Sequence, residues 1–136
     1  MISDIVPIIV NTLRNAGVEN VYGAFDAIPV ESKGRGIFTV VGIESCSVSA
    51  PIYSYSTVYA PFKAEIGIKV TAPGDFSMGS VYGHYSENIE PVLEEMSSLT
   101  CTVREAAVKY DSNINRLVLN IRMNVTGMSR LERRTS

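Results

Sequence analysis

The sequence is poor in the residues from which metal and catalytic sites are usually built. Its 136 residues include a single histidine, His84, and two cysteines, Cys46 and Cys101. A histidine-based metal site would need thiols or carboxylates to complete it, and the nearest acid, Glu87, is only three positions away on a predicted helix. The cysteines form no CxxC motif, so we expect two reduced, packed thiols in strands. The composition therefore does not predict a metal centre.

Catalytic motifs are also absent from the sequence. There is no GxSxG, and neither cysteine stands at an electropositive helix start. The stretch Lys33-Gly34-Arg35-Gly36 could offer amides and positive charge to a phosphate, but it leads into a strand, whereas phosphate-binding loops lead into a helix. The acidic residues Glu87, Glu90, Glu94 and Glu95 fit a solvated helix face. We expect no enzyme and no cofactor; an enzyme would need a pocket that joins His84 to a cysteine or carboxylate distant in sequence.

Charge and hydrophobicity exclude two further classes of protein. The 12 basic and 14 acidic residues leave a net charge of -2, and the only basic cluster is Arg130, Arg133 and Arg134, so specific nucleic-acid binding is not predicted. The apolar run Ile5–Val10 is too short to span a bilayer, and the first residues include Asp4 and no basic leader. We therefore expect a protein that folds in the cytoplasm and does not insert into a membrane.

The residues that are present predict one α+β domain. A stripe of apolar residues at helical spacing predicts a first helix, capped by Ser3, tolerating Pro7 in its first turn and ended by Gly17. A short apolar segment, 18–25, is read as a strand. The stripe consists of Ile2, Ile5, Val6, Ile9 and Leu13.

Two long runs in the middle of the chain predict an antiparallel hairpin. The run 37–48 is rich in β-branched residues, and 58–70 alternates strictly between apolar and polar side chains. Its tip is the stretch 49–57. Pro61 suggests that the second strand begins at an edge of the sheet or beyond it, because proline has no N–H to donate to a ladder.

The second half of the chain predicts a helix and another hairpin. Apolar spacing between Val81 and Met96 indicates the helix, which either begins near Ser86 or kinks one turn before Pro91. Strands follow at 100–110 and 116–126, joined by a turn at 111–115.

These elements give an α+β fold with a mostly antiparallel β-sheet of four to five strands, two helices packed on one face and the order α-β-β-β-α-β-β. We expect a single domain, 1–136, with a flexible basic tail from 127. Apolar residues fill one side of the sheet, which leaves the other side and the loops to contact other subunits. The candidate contacts lie in the 31–36 loop, the tyrosine-rich tip, the outer sheet face and the tail: Lys33, Arg35, Tyr53, Tyr55, Tyr59, Arg116, Arg122 and Arg130.

Several stretches resemble the tail-terminator proteins of long-tailed bacteriophages. They are the opening helix, the alternating strand ending at Thr71-Ala72-Pro73, the segment 88–93 (NIEPVL) and Tyr110-Asp111 before the final strand. The resemblance covers roughly residues 2–125 and is one of architecture; the arginine-rich end after Gly127 has no counterpart in it. Related small head- and tail-completion proteins share this size and composition.

The resemblance implies a structural virion protein, from a phage or a prophage, with no enzyme activity. Such subunits form a ring, commonly of six copies, that caps the tail tube, ends tail elongation and receives the head–tail connector protein. The implied partners are therefore other copies of the chain, the tail tube protein and the connector, with assembly in the bacterial cytoplasm. The alternative is a ferredoxin-like module that binds a small ligand in a pocket lined by Phe38, Tyr82 and Tyr85.

Overall fold

The computed structural model describes residues 4–24, 36–48, 50, 52–53, 57–96 and 99–132. They form one mixed six-stranded sheet and two helices, so the predicted α+β class is confirmed. The elements are α1 Ile5–Asn15, β1 Val21–Gly23, β2 Phe38–Val48, β3 Ile52–Tyr53, β4 Thr57–Pro73, α2 in three consecutive segments Met78–His84, Tyr85–Ile89 and Glu90–Glu94, β5 Thr100–Asp111, and β6 Arg116–Glu132.

Two long strands form the centre of the sheet. The strand order is β1-β2-β4-β6-β5, with the short β3 paired to β4 beyond the end of β2. The β1–β2 pair is parallel and every other pair is antiparallel. β4 and β6 have 17 residues each and pair along their whole length, from Thr57 opposite Glu132 to Pro73 opposite Arg116.

Helix α1 ends as its sequence predicts. Gly17 has a φ of +95°, the left-handed conformation that glycine adopts without steric cost. Its N–H donates to Arg14 O at 3.0 Å, and the Val18 N–H donates to Leu13 O at 3.1 Å, which is the Schellman arrangement. At the other end Asp4 is the N-cap and makes no side-chain capping bond; Ser3, the predicted cap, lies outside the described residues.

Helix α2 begins at Met78, so the prediction that it begins near Ser86 is wrong. It is distorted about one turn before Pro91, as the other prediction expected. Ser77 caps it, accepting a hydrogen bond from the Ser80 N–H at 3.1 Å. The middle segment, Tyr85–Ile89, is a π-helix, and the Glu90 N–H donates to Tyr85 O. Pro91 explains this widening, because it has no N–H and its ring crowds the carbonyl four residues before it.

Both helices pack on the same face of the sheet, which we call the inner face. The alternation predicted for the two long strands is confirmed, since every apolar position on this face of β4 from Ala60 to Ala72 is buried. The largest fully buried side chains of the core come from α1, α2 and the central strands: Ile5, Ile9, Leu13, Ile66, Ile68, Ile89, Leu119, Ile121 and Met123.

Two sequence expectations about one end of the sheet are wrong. Residues 127–132 are not a loose tail, because β6 continues to Glu132 and pairs with the first residues of β4; residues 133–136 lie outside the described residues. Pro61 does not lie at an edge either. It pairs with Met128 on one side, and on the other side the described pairs nearest to it are Val48 with Phe62 and Ile52 with Tyr59.

Candidate interaction surface

The face of the sheet opposite the helices, the outer face, is where sequence analysis places a contact surface. Its character changes along the strands. One end carries a small buried cluster, the middle is charged, and the other end is apolar and exposed.

The buried cluster of the outer face is built around Arg116. This side chain is only 9% exposed, and its Nη2 donates to Gly36 O at 2.6 Å and Thr71 O at 3.2 Å. Its guanidinium carbon lies 4.7 Å from the centroid of the Phe38 ring, a cation–π arrangement. Burial lowers the pKa of the guanidinium. The prediction that Arg116 faces solvent is therefore wrong: Phe38 and the buried Val118 need a cover, and the arginine is part of it.

The middle of the outer face carries both signs of charge. Arg122 is exposed there, as predicted. Arg104 lies 3.4 Å from Glu65, and this exposed ion pair contributes little to stability. Two depressions open to solvent: one of ≈ 160 Å³ around Glu44, Lys69 and Arg122, and one of ≈ 310 Å³ lined by Ser45, Cys46, Ser47, Lys63, Ala64, Glu65, Arg104 and Asn124. Their mixed lining favours contact with a polar protein surface over enclosure of a ligand.

The far end of the sheet exposes large apolar side chains. Val48 is 54% exposed, Ile52 49%, Tyr53 69% and Met128 60%. We call these four residues the apolar end. The pairing places Ile52 and Met128 on the outer face, and Val48 and Tyr53 on the inner face beyond the helices. Tyr53 was predicted to lie on a contact surface and is exposed there, whereas Tyr59 is half-buried. Sequence analysis missed the three aliphatic members, because single apolar residues in a strand do not show whether a helix covers them.

The remaining predicted contacts cannot be placed on this surface. Lys33, Arg35 and Tyr55 lie outside the described residues. The backbone of Arg130 belongs to β6, opposite Tyr59.

The residues considered for chemistry do not converge. His84 Nδ1 lies 3.3 Å from Asn88 Nδ2. Its Nε2 is buried and has no hydrogen-bond partner among the described residues, and burial lowers the pKa of the ring. Both cysteines are free; the Cys101 sulfur is 4.0 Å from that of Met96, but Cys46 is exposed, so the expectation that it is packed is wrong. In the part of the chain that the structure describes, no three His, Cys, Asp or Glu side chains group as a metal site would require.

The three residues expected to line a small-ligand pocket are not brought together. Phe38 stacks on Arg116 at the outer face. Tyr82 and Tyr85 belong to α2, which packs on the inner face, so the sheet separates them from Phe38. Tyr82 instead donates its hydroxyl to Ala106 O, at 3.2 Å, on β5.

A scan against protein-family models and a search of curated protein sequences find no match for this chain. Among the described residues, no helix has the length and apolar character needed to cross a membrane.

Proposed function

We propose that this chain is a structural subunit of a long-tailed phage or prophage particle. Its copies form a ring, six in the family it resembles, that caps the tail tube, ends elongation and offers a surface for joining the head. The resemblance that suggests this role rests on α1, on the end of β4 at Thr71–Pro73, on NIEPVL in α2 and on the end of β5. The element order predicted from the sequence differs from the order of this fold only by the short strand β3.

The observation that carries the proposal is the apolar end. Four large side chains, each about half exposed or more, lie at one end of the sheet on neighbouring strands, with Ile52 and Met128 at outer-face positions and Val48 and Tyr53 at inner-face positions. Burying apolar area contributes roughly 25 cal/mol per Å², and grouped exposed apolar residues on a soluble protein usually mark a contact with another protein. A ring subunit needs such a surface for its neighbours or for the tube.

The charged middle of the outer face suits the same role. Ring subunits meet head to tail, with different surfaces in contact, so each contact must reject wrong orientations. Interspersed charges of both signs supply that selectivity, because a wrong orientation brings like charges together. The net charge of -2 leaves no strong overall field of one sign, so the selectivity has to come from the local arrangement of charges.

The test is the oligomeric state of the purified protein, measured by light scattering and viewed by negative-stain electron microscopy. We expect rings at high concentration and binding to purified tail tubes. Replacing Tyr53 and Met128 together by serine should weaken both. A matched control replaces Met78 and Ile114, which are 51% and 42% exposed elsewhere, and should weaken neither. A chain that stays monomeric at every concentration and ignores tail tubes would contradict the proposal.

A further inference from the structure

At each edge of the sheet, the last hydrogen bond to a neighbouring segment is made in the same row of residues. On the β2 side, the Ala24 N–H donates to Val41 O at 2.8 Å, and β1 pairs no further than Val41. On the β5 side, the Tyr82 hydroxyl donates to Ala106 O at 3.2 Å. Val41 and Ala106 belong to one row across the sheet, joined through Ile68 and Ile121.

Beyond that row both edges are open within the described residues. On β2 the open stretch is 42–48, and on β5 it is 100–105; neither has a further strand beside it. Val103 is 40% exposed and Val48 54%. An open edge of this length offers a row of N–H and C=O groups to another strand.

We infer that the open β5 edge of one copy pairs with the open β2 edge of the next, so that the sheet continues from subunit to subunit. This inference rests on the proposed ring and names the contact that builds it. The strand order makes β2 and β5 antiparallel to each other. A second copy in the same orientation therefore presents an antiparallel partner, and the contact is head to tail, as a ring requires.

The backbone groups at the two edges are in phase. Thr39 N and Val41 O bond outward from β2, and Ala106 O bonds outward from β5, so inner-face positions carry the outward groups on both edges. Each strand has a bulge beside the same row, at 43–45 in β2 and 103–105 in β5. Because each bulge adds one residue, the inner-face positions beyond it remain the outward ones.

The side chains also match when the rows of two copies are continuous. Cys101 of one copy then lies beside Cys46 of the next, and Val103 beside Ile43, all on inner-face rows. On the outer face the threonines at 100 and 102 lie beside the serines at 47 and 45. The two bulge residues, Arg104 and Glu44 of the next copy, then stand side by side on the outer face, although within one chain Arg104 reaches Glu65 and the Glu44 carboxylate lies over Gly67.

The two thiols give this contact a specific chemical readout. Within one chain, Cys46, Ala64, Val125 and Cys101 form one row. The cysteines are thus three strand spacings apart, roughly 14 Å at about 4.8 Å per spacing, too far for a disulfide. Across the inferred contact they are directly opposed, with Cα atoms about 5.5 Å apart, which a disulfide can span.

The experiment is mild oxidation of the full chain, followed by non-reducing gel electrophoresis. Burial raises the pKa of the Cys101 thiol, so the reaction is run at about pH 8.5 to supply thiolate. We expect wild type to give a ladder of covalent oligomers. The single variants Cys46→Ser and Cys101→Ser should each stay monomeric on the gel. The two variants co-expressed should give covalent dimers and nothing larger, because each copy then retains a single thiol and can be linked to only one neighbour.

Other outcomes separate the inference from the proposed function. Dimers formed by either single variant as readily as by wild type would show like-to-like or collisional contact and overturn the edge pairing. Rings seen by light scattering that yield no covalent dimer in the co-expressed sample would also overturn it, while leaving the proposed ring intact. A wild-type chain with neither rings nor covalent oligomers would overturn both.

Discussion

The inner and outer faces of β4 and β6 are formed by the same two strands. Two helices pack on the inner face, whereas much of the outer face is exposed. Successive residues point to opposite faces, so the two strands supply both surfaces in equal number. On the inner face, Ile66, Ile68 and Val70 are fully buried under two helices. On the outer face, the neighbouring Lys63 and Lys69 are exposed. The alternation of the strand thus determines the face to which a side chain points. What packs on that face determines how much the side chain contributes to stability.

The two ends of the outer face extend the comparison. At one end Thr71 and Val118 are buried beside Arg116 and Phe38, whereas at the other Met128 is 60% exposed on the same strand pair. At the first end, the Arg116 side chain bonds to the Gly36 carbonyl and covers the Phe38 ring. At the second end, Met128 is left largely uncovered. We therefore expect stability to depend on the inner face and the buried cluster, and assembly to depend on the apolar end and the open edges.

The largest effect should come from the inner face. Ile68→Ala removes a fully buried side chain of the core cluster, to which both helices also contribute, and should lower the free energy of unfolding by about 3 kcal/mol. Lys69→Ala, one residue away on the outer face, should change it by less than about 0.5 kcal/mol. Urea unfolding with an unchanged m-value measures both. Equal costs would mean that the two faces are not energetically distinct.

The buried cluster should give the next largest effect. Arg116→Ala leaves the Gly36 and Thr71 carbonyls without their donor and uncovers the Phe38 ring, and should cost about 2 kcal/mol. Arg122→Ala, exposed on the same strand, should cost less than about 0.5 kcal/mol. The comparison of the two arginines in urea tests whether Arg116 is structural; similar small losses would return it to the contact surface.

Local sequence predicted the elements whose signal is itself local. The alternation of β4 and β6, the apolar stripe of α1 and the helix end at Gly17 each depend on neighbours a few positions away. The candidate surface was predicted only in part: Tyr53 and Arg122 are exposed where expected, and Arg116 is not. Its burial depends on Gly36, 80 positions away, and no local pattern records such a partner.

The continuation of β6 past Thr126 shows the same limit. Polar residues after Gly127 look like a loose tail when read alone. Their pairing with the start of β4 makes them a strand, and Gly127 itself explains how the pair fits, because the Phe62 ring lies where a Cβ would be. The sequence shows a glycine at position 127, but it does not show that the Phe62 ring occupies the space beside it.

Gly127→Ala and Gly67→Ala form a matched test of that space. A Cβ at Gly127 would lie 2.8 Å from Phe62 Cζ and 3.3 Å from Leu99 Cδ2, both on buried side chains, so the variant should lose about 1 to 3 kcal/mol. At Gly67 the nearest atom is Glu44 Oε1, at 2.9 Å. This carboxylate end belongs to an exposed side chain and can swing away. Gly67→Ala should therefore be neutral or gain up to about 0.5 kcal/mol. Thermal unfolding compares them, and a tolerated Gly127→Ala would contradict the described packing.

The smallest effect should separate two tyrosines of α2. The Tyr85 hydroxyl is buried and has no hydrogen-bond partner among the described residues. Desolvation, and then the charges of Glu90 and Glu94, raise its pKa to about 12. Because the unfolded chain releases this proton near its ordinary pKa of 10, the folded state loses stability as pH rises from 10 to 12.

Tyr85→Phe removes both the unpaired hydroxyl and this alkaline loss. It should raise stability near neutral pH by up to about 1 kcal/mol and flatten the decline in stability between pH 10 and 12 relative to wild type. Tyr82→Phe is the control, because it removes a partly exposed hydroxyl that does have a partner, Ala106 O. It should lower stability near neutral pH by about 0.5 kcal/mol. If both variants destabilise alike, Tyr85 has a partner in solution, and the inner face near the π-helical turn is less dry than its burial indicates.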